Sequence, residues 1–344
     1  MGRRTLTFAD RADIAVGIKA GQTDRQIGEE IGRHHTVIWR ERQRNSTKTR
    51  GYRPVTADVR AQKRRARPQE RKIDTDPVLA ARVRADLFRS RTPRQIAGRL
   101  LLEATDSSVE TMTKSPDSQG RTVSHEAIYR WIYALPKGEL AKEGILLQSK
   151  RTRRKPRKPL GERTGGRIIG MVSIDDRPEE ASDRRVPGSW EGDLIIGKGG
   201  KSAVATLVER HSRFLIMLGL PEGKKAAPLA DVLIDRVHDL PALMRGSLTW
   251  DQGTEMAHHA ALTVATDLPV YFAHPHSPWE RPTNENTNGL IREYLPKGIE
   301  LTSHQPFLDS IADELNDRPR ASLGYFTPRE VFTKLLNEDV AKTG

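Results

Sequence analysis

Three carboxylates stand apart by residue type and spacing. Asp193 sits inside the run Trp190 to Gly197, otherwise suited to a buried strand, where an Asp is disfavoured and needs a reason. Asp251 closes a second short β-like run, Gly246 to Gly253, at a turn glycine. Glu285 lies in the stretch His276 to Gly298; 57 residues separate Asp193 from Asp251, and 33 separate Asp251 from Glu285. Brought together, three such groups would aim their oxygens at one point, and the cluster would repel itself unless a hard cation neutralised it. Oxygen donors without cysteine or an obligatory histidine favour Mg²⁺, with Mn²⁺ able to substitute. Two such ions about 3.5 to 4 Å apart clamp the attacking and leaving oxygens of an in-line phosphoryl transfer. That is the chemistry of a nuclease or strand-transfer site.

The elements that must hold these groups can be read locally. Ser277-Pro278 turns the chain away from helix, whereas Pro282 is tolerated in a first helical turn, so a helix should begin near Pro282. On a helical wheel Asn288, Gly289 and Arg292 fall within about 60° of Glu285, and Leu290, Ile291, Tyr294 and Leu295 occupy the remaining, apolar side. Rival carboxylates are Glu191, Glu255, Glu280 and Glu293. Glu191, which shares a strand face with Asp193, has the strongest claim among them. The spacing of His258, His259, His274 and His276 matches no usual zinc ligand set, although His276, close to the Glu285 helix, could touch substrate.

The segments Trp190 to Leu194, Thr249 to Gly253 and Ser277 to Leu290 resemble those of the bacterial IS30-family transposases, as do Leu315 to Arg320 and Thr327 to Phe332. The resemblance covers nearly the whole chain. It implies an RNase H-like catalytic domain of the DDE recombinase type, with Asp193, Asp251 and Glu285 as a triad that binds two Mg²⁺ or Mn²⁺ ions. Such enzymes often carry a basic residue seven positions after the glutamate. Arg292 stands there, about two helical turns along, on the face that could hold a DNA phosphate. The chain departs from the family pattern at Ser189, where a His is common, and at Glu280-Arg281-Pro282, where Gln-Arg-Gly is common.

Charge divides the chain. The net charge is +13, yet residues 1–160 hold 37 Lys and Arg against 18 Asp and Glu, whereas the remaining residues hold 21 against 27. A basic half and an acidic half suggest a polyanion-binding part joined to a metal-seeking part, with double-stranded DNA as the polyanion. Cysteine is absent, which excludes disulfides and thiolate zinc sites. No signal-like or membrane-length apolar run occurs, so the expectation is a soluble bacterial protein of the cytoplasm, associated with the nucleoid.

The expected fold class is multidomain: N-terminal all-α helix-turn-helix modules followed by an α/β RNase H-like catalytic domain. Residues 1–45 read as a helix-turn-helix, with helices near Phe8 to Ala20 and Asp24 to Ile31 and a recognition helix His34 to Arg44. Within the last, His35, Thr36, Arg40, Arg42 and Arg44 are free to meet bases or phosphates. Residues 46–77 read as a basic linker poor in apolar anchors, and 78–145 as a second helical, helix-turn-helix-like DNA-binding domain. Residues 146–165 form another basic linker, whose run Lys150 to Lys158, including Arg153, Arg154 and Lys155, suits DNA backbone contact. From 166 to 344 the texture is β-like. Runs Trp190 to Gly197, Ala203 to Val208 and Phe214 to Leu220 suggest an antiparallel meander, then come a helix, Ala226 to Asp239, and strands Ser247 to Trp250 and Pro269 to Ala273.

Together these readings predict a DNA transposase. It would bind the terminal inverted repeats of an insertion sequence, cleave a strand with a divalent metal and join the freed 3′-OH to target DNA, working as at least a homodimer on paired ends. A nuclease or phage-type integrase of the same fold is a related alternative. The alternative from another class is a sequence-specific repressor with an inactive nuclease domain.

Overall fold

The computed structural model describes residues 5–47, 49–66, 70–135, 142, 168–179, 184–275 and 277–343. The chain divides into two compact units, Met1–Arg71 and Lys72–Gly344.

The first unit holds α1 (Phe8–Lys19), α2 (Asp24–Glu30), α3 (His35–Asn45) and α4 (Pro54–Ala66). Capping boxes start the first two: Thr7 exchanges hydrogen bonds with Asp10, and Thr23 with Gln26. Gly32, with φ +65°, makes the tight turn into α3. Leu6, Ile14, Ile27 and Ile38 form the core. Residues 46–77 do not behave as the expected linker, because α4 closes this unit as a fourth helix. Its anchors are the small buried faces of Ala57 and Ala61, together with Asp58, which accepts from the buried Arg11 at 3.0 Å while Arg11 also pairs with Glu41 at 2.8 Å.

In the second unit, α5 (Lys72–Thr75), α6 (Pro77–Phe88), α7 (Pro93–Thr105) and α8 (His125–Ala134) share a core of Ile73, Leu79, Val83, Leu87, Ile96, Leu100, Ile128 and Trp131. The helical module thus begins at 72 rather than 78. Expected as a domain of its own, it is packed into the same compact unit as the sheet. Arg99, fully buried, is paired with Glu103 at 2.8 Å and with Glu330 at 2.8 and 2.6 Å. Gly98 lies so close to the Tyr325 ring that a Cβ there would overlap it.

The sheet comprises β1 (Val172–Ser173), β2 (Ser189–Ile196), β3 (Ala203–Glu209), β4 (Leu215–Leu220), β5 (Ser247–Trp250) and β6 (Val270–Phe272), in the order β1-β6-β5-β2-β3-β4. β2, β3 and β4 form an antiparallel meander, β5 runs parallel to β2, and β6 runs parallel to β5. This is the RNase H-like arrangement expected from the sequence. Parallel pairing needs crossovers, supplied by α9 (Ala226–His238) before β5 and α10 (His259–Thr266) before β6. After β6 come α11 (Pro282–Ile291), α12 (Gln305–Asn316) and α13 (Pro328–Thr343).

Strand alternation divides the core between the two faces. Trp190, Ala205, Leu207, Leu218 and Leu248 belong with Leu229, Leu233 and Leu262 of α9 and α10. Ile195, Val204, Val208 and Met217 belong with Ile291 of α11 and Leu308, Ile311 and Leu315 of α12. The β4 edge is closed by side-chain amides of α12. Asn316 accepts from the Leu215 amide and donates to its carbonyl, at 2.8 and 2.9 Å, while Gln305 does the same for Gly219 N and Met217 O, at 2.9 and 2.7 Å. An unpaired edge that could recruit another strand is thereby satisfied within the chain.

Candidate active site and nucleic-acid interface

Strand β2 carries Glu191 and Asp193 on the face that meets α11, because side chains alternate along a strand. Opposite Asp193 in the antiparallel register is Thr206, a residue of β3. Asp251 follows Trp250, at the carboxyl end of the neighbouring parallel strand β5. Its Oδ1 accepts the Gly253 amide at 3.2 Å, an Asx-type turn that fixes the carboxylate as the chain leaves the sheet.

The two aspartates converge on one cation, Arg281. Arg281 Nη1 is 3.7 Å from Asp193 Oδ1, and Nη2 is 3.6 Å from Asp251 Oδ2. Nη1 also donates to the Gly192 carbonyl at 2.7 Å. Asn288, one turn beyond Glu285, donates from Nδ2 to Asp193 Oδ2 at 2.9 Å, and its Oδ1 accepts from Thr206 Oγ1 at 3.3 Å. Burial pushes the Asp193 carboxyl above the ordinary carboxylate range; Arg281 opposes that rise and the charge of Asp251 adds to it. Glu255, half-buried in the turn Thr254–Met256, is also raised, by burial and then by the charges of Asp251 and Asp193. A centre of concentrated negative charge therefore lies where β2 and β5 face α11.

Glu285 occupies the first turn of α11 and is exposed. Among the described residues no group of three His, Asp or Glu side chains stands close enough to hold a metal ion. Two of the three expected carboxylates are brought to a common point, with Arg281 between them, and Glu285 lies at the surface on the same helix as Asn288. Of the rival acids, Glu191 is fully buried and paired with Arg210 at 3.1 Å. It accepts the Asn284 amide at 2.9 Å. Glu280 is engaged with His274, and Glu293 lies 3.4 Å from Arg318.

Arg292, expected on the phosphate side of α11, donates to the backbone carbonyls of Ile196 at 3.2 Å and Leu295 at 3.3 Å. It therefore ties the end of β2 to the end of the helix. His259 is buried, with its ring nitrogens against the carbonyls of Met256 and Gly170, which accounts for it without a metal.

In the first unit, α3 turns Ile38 inward and leaves His35, Arg40 and Arg44 exposed, with Thr36 half-buried. Arg42, expected to be free, is instead paired with Asp24 of α2. Trp39 is 53% exposed on the same helix.

A family model described as a helix-turn-helix domain matches residues 3–45. The transposase for insertion sequence element IS1086 of Cupriavidus metallidurans is 43% identical over 315 residues, covering 91% of this chain and 89% of that protein. Transposase InsI for insertion sequence element IS30C of Escherichia coli is 38% identical, covering 96% of this chain and 83% of that protein. The transposase for insertion sequence element IS4351 of Bacteroides fragilis is 33% identical, with 97% of each covered. The chain belongs to the IS30 family of insertion-sequence transposases. Among solved structures, the catalytic core domain of BIV integrase aligns with a TM-score of 0.34 and 18% identity, covering 46% of this chain and 99% of that one, too weak a likeness to argue from.

In this IS30-family transposase, the partners that sequence reasoning missed at the acidic centre are Arg281 and Asn284, whereas Asn288 stands where the helical wheel sets it, on the Glu285 side of α11. For Arg281 a signal was present in its place four residues before Glu285, a helical-neighbour spacing, whereas Asn284, adjacent to Glu285, faces another side of the helix and carried none. Arg153, Arg154, Lys155, the rest of the run Lys150 to Lys158, and His276 lie outside the described residues. Among the described residues no helix is long and apolar enough to cross a membrane.

Proposed function

We propose that this transposase cuts and joins DNA strands at the acidic centre, using Mg²⁺ or Mn²⁺ held by Asp193, Asp251 and Glu285. The observation that carries the proposal is the convergence of the Asp193 and Asp251 carboxylates on a single guanidinium, one from within β2 and the other from the end of the adjacent parallel strand β5. The donors fit a hard divalent ion: they are all carboxylate oxygens, and burial holds the Asp193 carboxyl above the ordinary range even with Arg281 beside it. Bound there, as a pair or singly, such ions supply Lewis-acid charge to the reacting phosphate.

The protein's own part is positional. Asn288 orients one oxygen of Asp193, the Gly253 amide orients Asp251, and α11 carries Glu285 in its first turn, one turn before Asn288. Water attack on phosphorus frees a 3′-OH at the element's end, and that hydroxyl then displaces a second 3′-oxygen at the target phosphodiester. No covalent link to the protein is required. The helix-turn-helix unit supplies recognition of the terminal inverted repeats through His35, Thr36, Arg40 and Arg44, with Arg292 and the run containing Arg153, Arg154 and Lys155 adding backbone contacts. Pairing of two ends calls for at least two copies of the chain.

The test is a cleavage and joining assay on a supercoiled plasmid bearing both element ends, with Mg²⁺. Asp193→Asn, Asp251→Asn and Glu285→Gln should each lower cutting by about a thousandfold, several kcal/mol of lost charge stabilisation, while end binding persists. A variant that cuts normally removes its residue from the ligand set. Binding without cutting by the wild-type protein, in either metal, would favour a repressor.

A further inference from the structure

Arg281 is held differently from the fully buried Arg82 and Arg99. Arg99 and Arg82 grip carboxylates at ordinary hydrogen-bond lengths, 2.8 and 2.6 Å to Glu330 and 2.9 and 3.0 Å to Glu103. Those are the forked, charge-assisted contacts that lock a guanidinium in place. Arg281 stands 3.6 and 3.7 Å from its two aspartates, and its Nε is buried without a hydrogen-bond partner. Its one short contact is to a neutral acceptor, the Gly192 carbonyl. Yet its side chain is only 13% exposed, in a centre that gathers the charges of Asp193, Asp251 and Glu255. A cation with an orphaned donor and loose ion pairs is retained by the field of the site rather than by fitted hydrogen bonds.

Its attachment leaves it room to move. Arg281 is the residue that enters α11, with φ −123° and ψ 49°; its backbone carbonyl accepts the Glu285 amide at 3.2 Å, but its side chain makes no cap. Swinging the side chain away would break no helical hydrogen bond. It would take from the two aspartates the cation they share, while Asn288 still orients Asp193 and the Gly253 amide still orients Asp251.

We propose that Arg281 is the resident counter-cation of the Asp193–Asp251 pair and that divalent metal loads the site by displacing it, so that Arg281 sets the threshold for metal binding. This rests on the reading of the two aspartates as metal ligands given above. A lone, partly desolvated carboxylate pair destabilises the fold through like-charge repulsion. The arginine relieves that repulsion in the metal-free protein, and its departure is a cost that any incoming ion must meet.

The experiment is calorimetric titration of the full-length protein with Mn²⁺, alongside thermal melting with and without Mn²⁺, for wild type, R281Q, R281M, R281K and D251N. Removing the guanidinium should tighten Mn²⁺ binding by about tenfold, one pKa-unit equivalent of differential interaction. It should also lower the metal-free melting temperature, with the deficit closing in saturating Mn²⁺. R281K, which keeps the charge, should bind Mn²⁺ much as wild type does. Gln and Met substitute different shapes, so one folded neutral variant suffices. If Arg281 merely anchors the helix entrance, the neutral variants melt lower in both conditions and bind Mn²⁺ no tighter, and the proposal is overturned. If wild type binds Mn²⁺ and D251N binds it equally well, the reading of the aspartates as ligands fails, independently of what Arg281 does.

Discussion

The buried carboxylate of Glu191 accepts the backbone amide of Asn284 at 2.9 Å, and the Asn284 side chain donates back to the Glu191 carbonyl at the same distance. This reciprocal pair fastens the first turn of α11 to β2 one residue before Glu285. Arg281, at the helix entrance, offers no side-chain cap, so a carboxylate from another strand satisfies an amide that the helix cannot. Arg210 at 3.1 Å balances the charge. Glu191 is thus a positioning residue, acting on Glu285 through the helix that carries it. Glu191→Gln leaves Arg210 buried against a neutral amide, and stability should fall by about 3 kcal/mol. Chemical denaturation measures that loss. A variant as stable as wild type would show that Arg210 is balanced elsewhere.

Between Glu191 and Asp193, Gly192 lies against the ring of Trp250, and a Cβ at that position would overlap the ring. Trp250 is fully buried in β5, directly before Asp251, so it has no room to give. A methyl group at 192 must therefore push β2 and β5 apart at the point where both aspartates emerge. Gly192→Ala should cost about 3 kcal/mol, at the upper end of overpacking penalties, and cut strand cleavage more deeply than the stability loss explains. Cleavage assayed well below the variant's melting temperature separates the two effects. Full activity there would mean that the sheet absorbs the methyl without moving the carboxylates.

The parts of this architecture that were legible in the sequence are those in which a single local rule dominates. The apolar runs of β2, β3 and β4 are buried on both faces and read as strands without tertiary knowledge. Pro282 marked the start of α11, and Asp193 stood out because a strand otherwise has no use for it. Three features were hidden because their cause is tertiary. Helix α4 is anchored by Ala57 and Ala61, which look unremarkable in a run of Lys and Arg. Arg82 and Arg99, which no local pattern marks out, are fully buried in ion pairs that join α6 and α7 to their neighbours. Arg281 sat in plain view beside Glu285, yet only the fold brings it between two aspartates distant in sequence.

His274, just after β6, stands between Glu280 at 2.8 Å and Asp175 at 3.1 Å. Its hydrogen bond to Glu280, then the charges of Asp175 and Glu280, hold its pKa above the ordinary 6.5. A raised folded pKa means that the native state binds the proton more tightly than the unfolded chain. The stabilisation is therefore complete below about pH 6.5 and is lost as pH climbs through the folded value. Wild type should melt above His274→Gln at pH 6, and the gap should shrink by pH 8.5. A gap that is constant or widens with pH would mean that His274 contributes through packing or a neutral hydrogen bond.

On α3 the exposed Arg40 and Arg44 lie beyond Ile38, which is fully buried, so the core holds the helix while the two cations face outward. Arg42 differs because Asp24 already neutralises it. If each free arginine meets one DNA phosphate, each contributes close to one released counterion. The slope of log affinity against log salt should then fall by about 2 in the Arg40→Ala, Arg44→Ala double variant. Arg42→Ala should alter the slope far less, since its charge is compensated before DNA arrives. Binding to a labelled element end, titrated from low to moderate salt, gives all three slopes. Loss of affinity in the double variant with an unchanged slope would assign these arginines to base edges instead of phosphates, because a base contact releases no phosphate counterion.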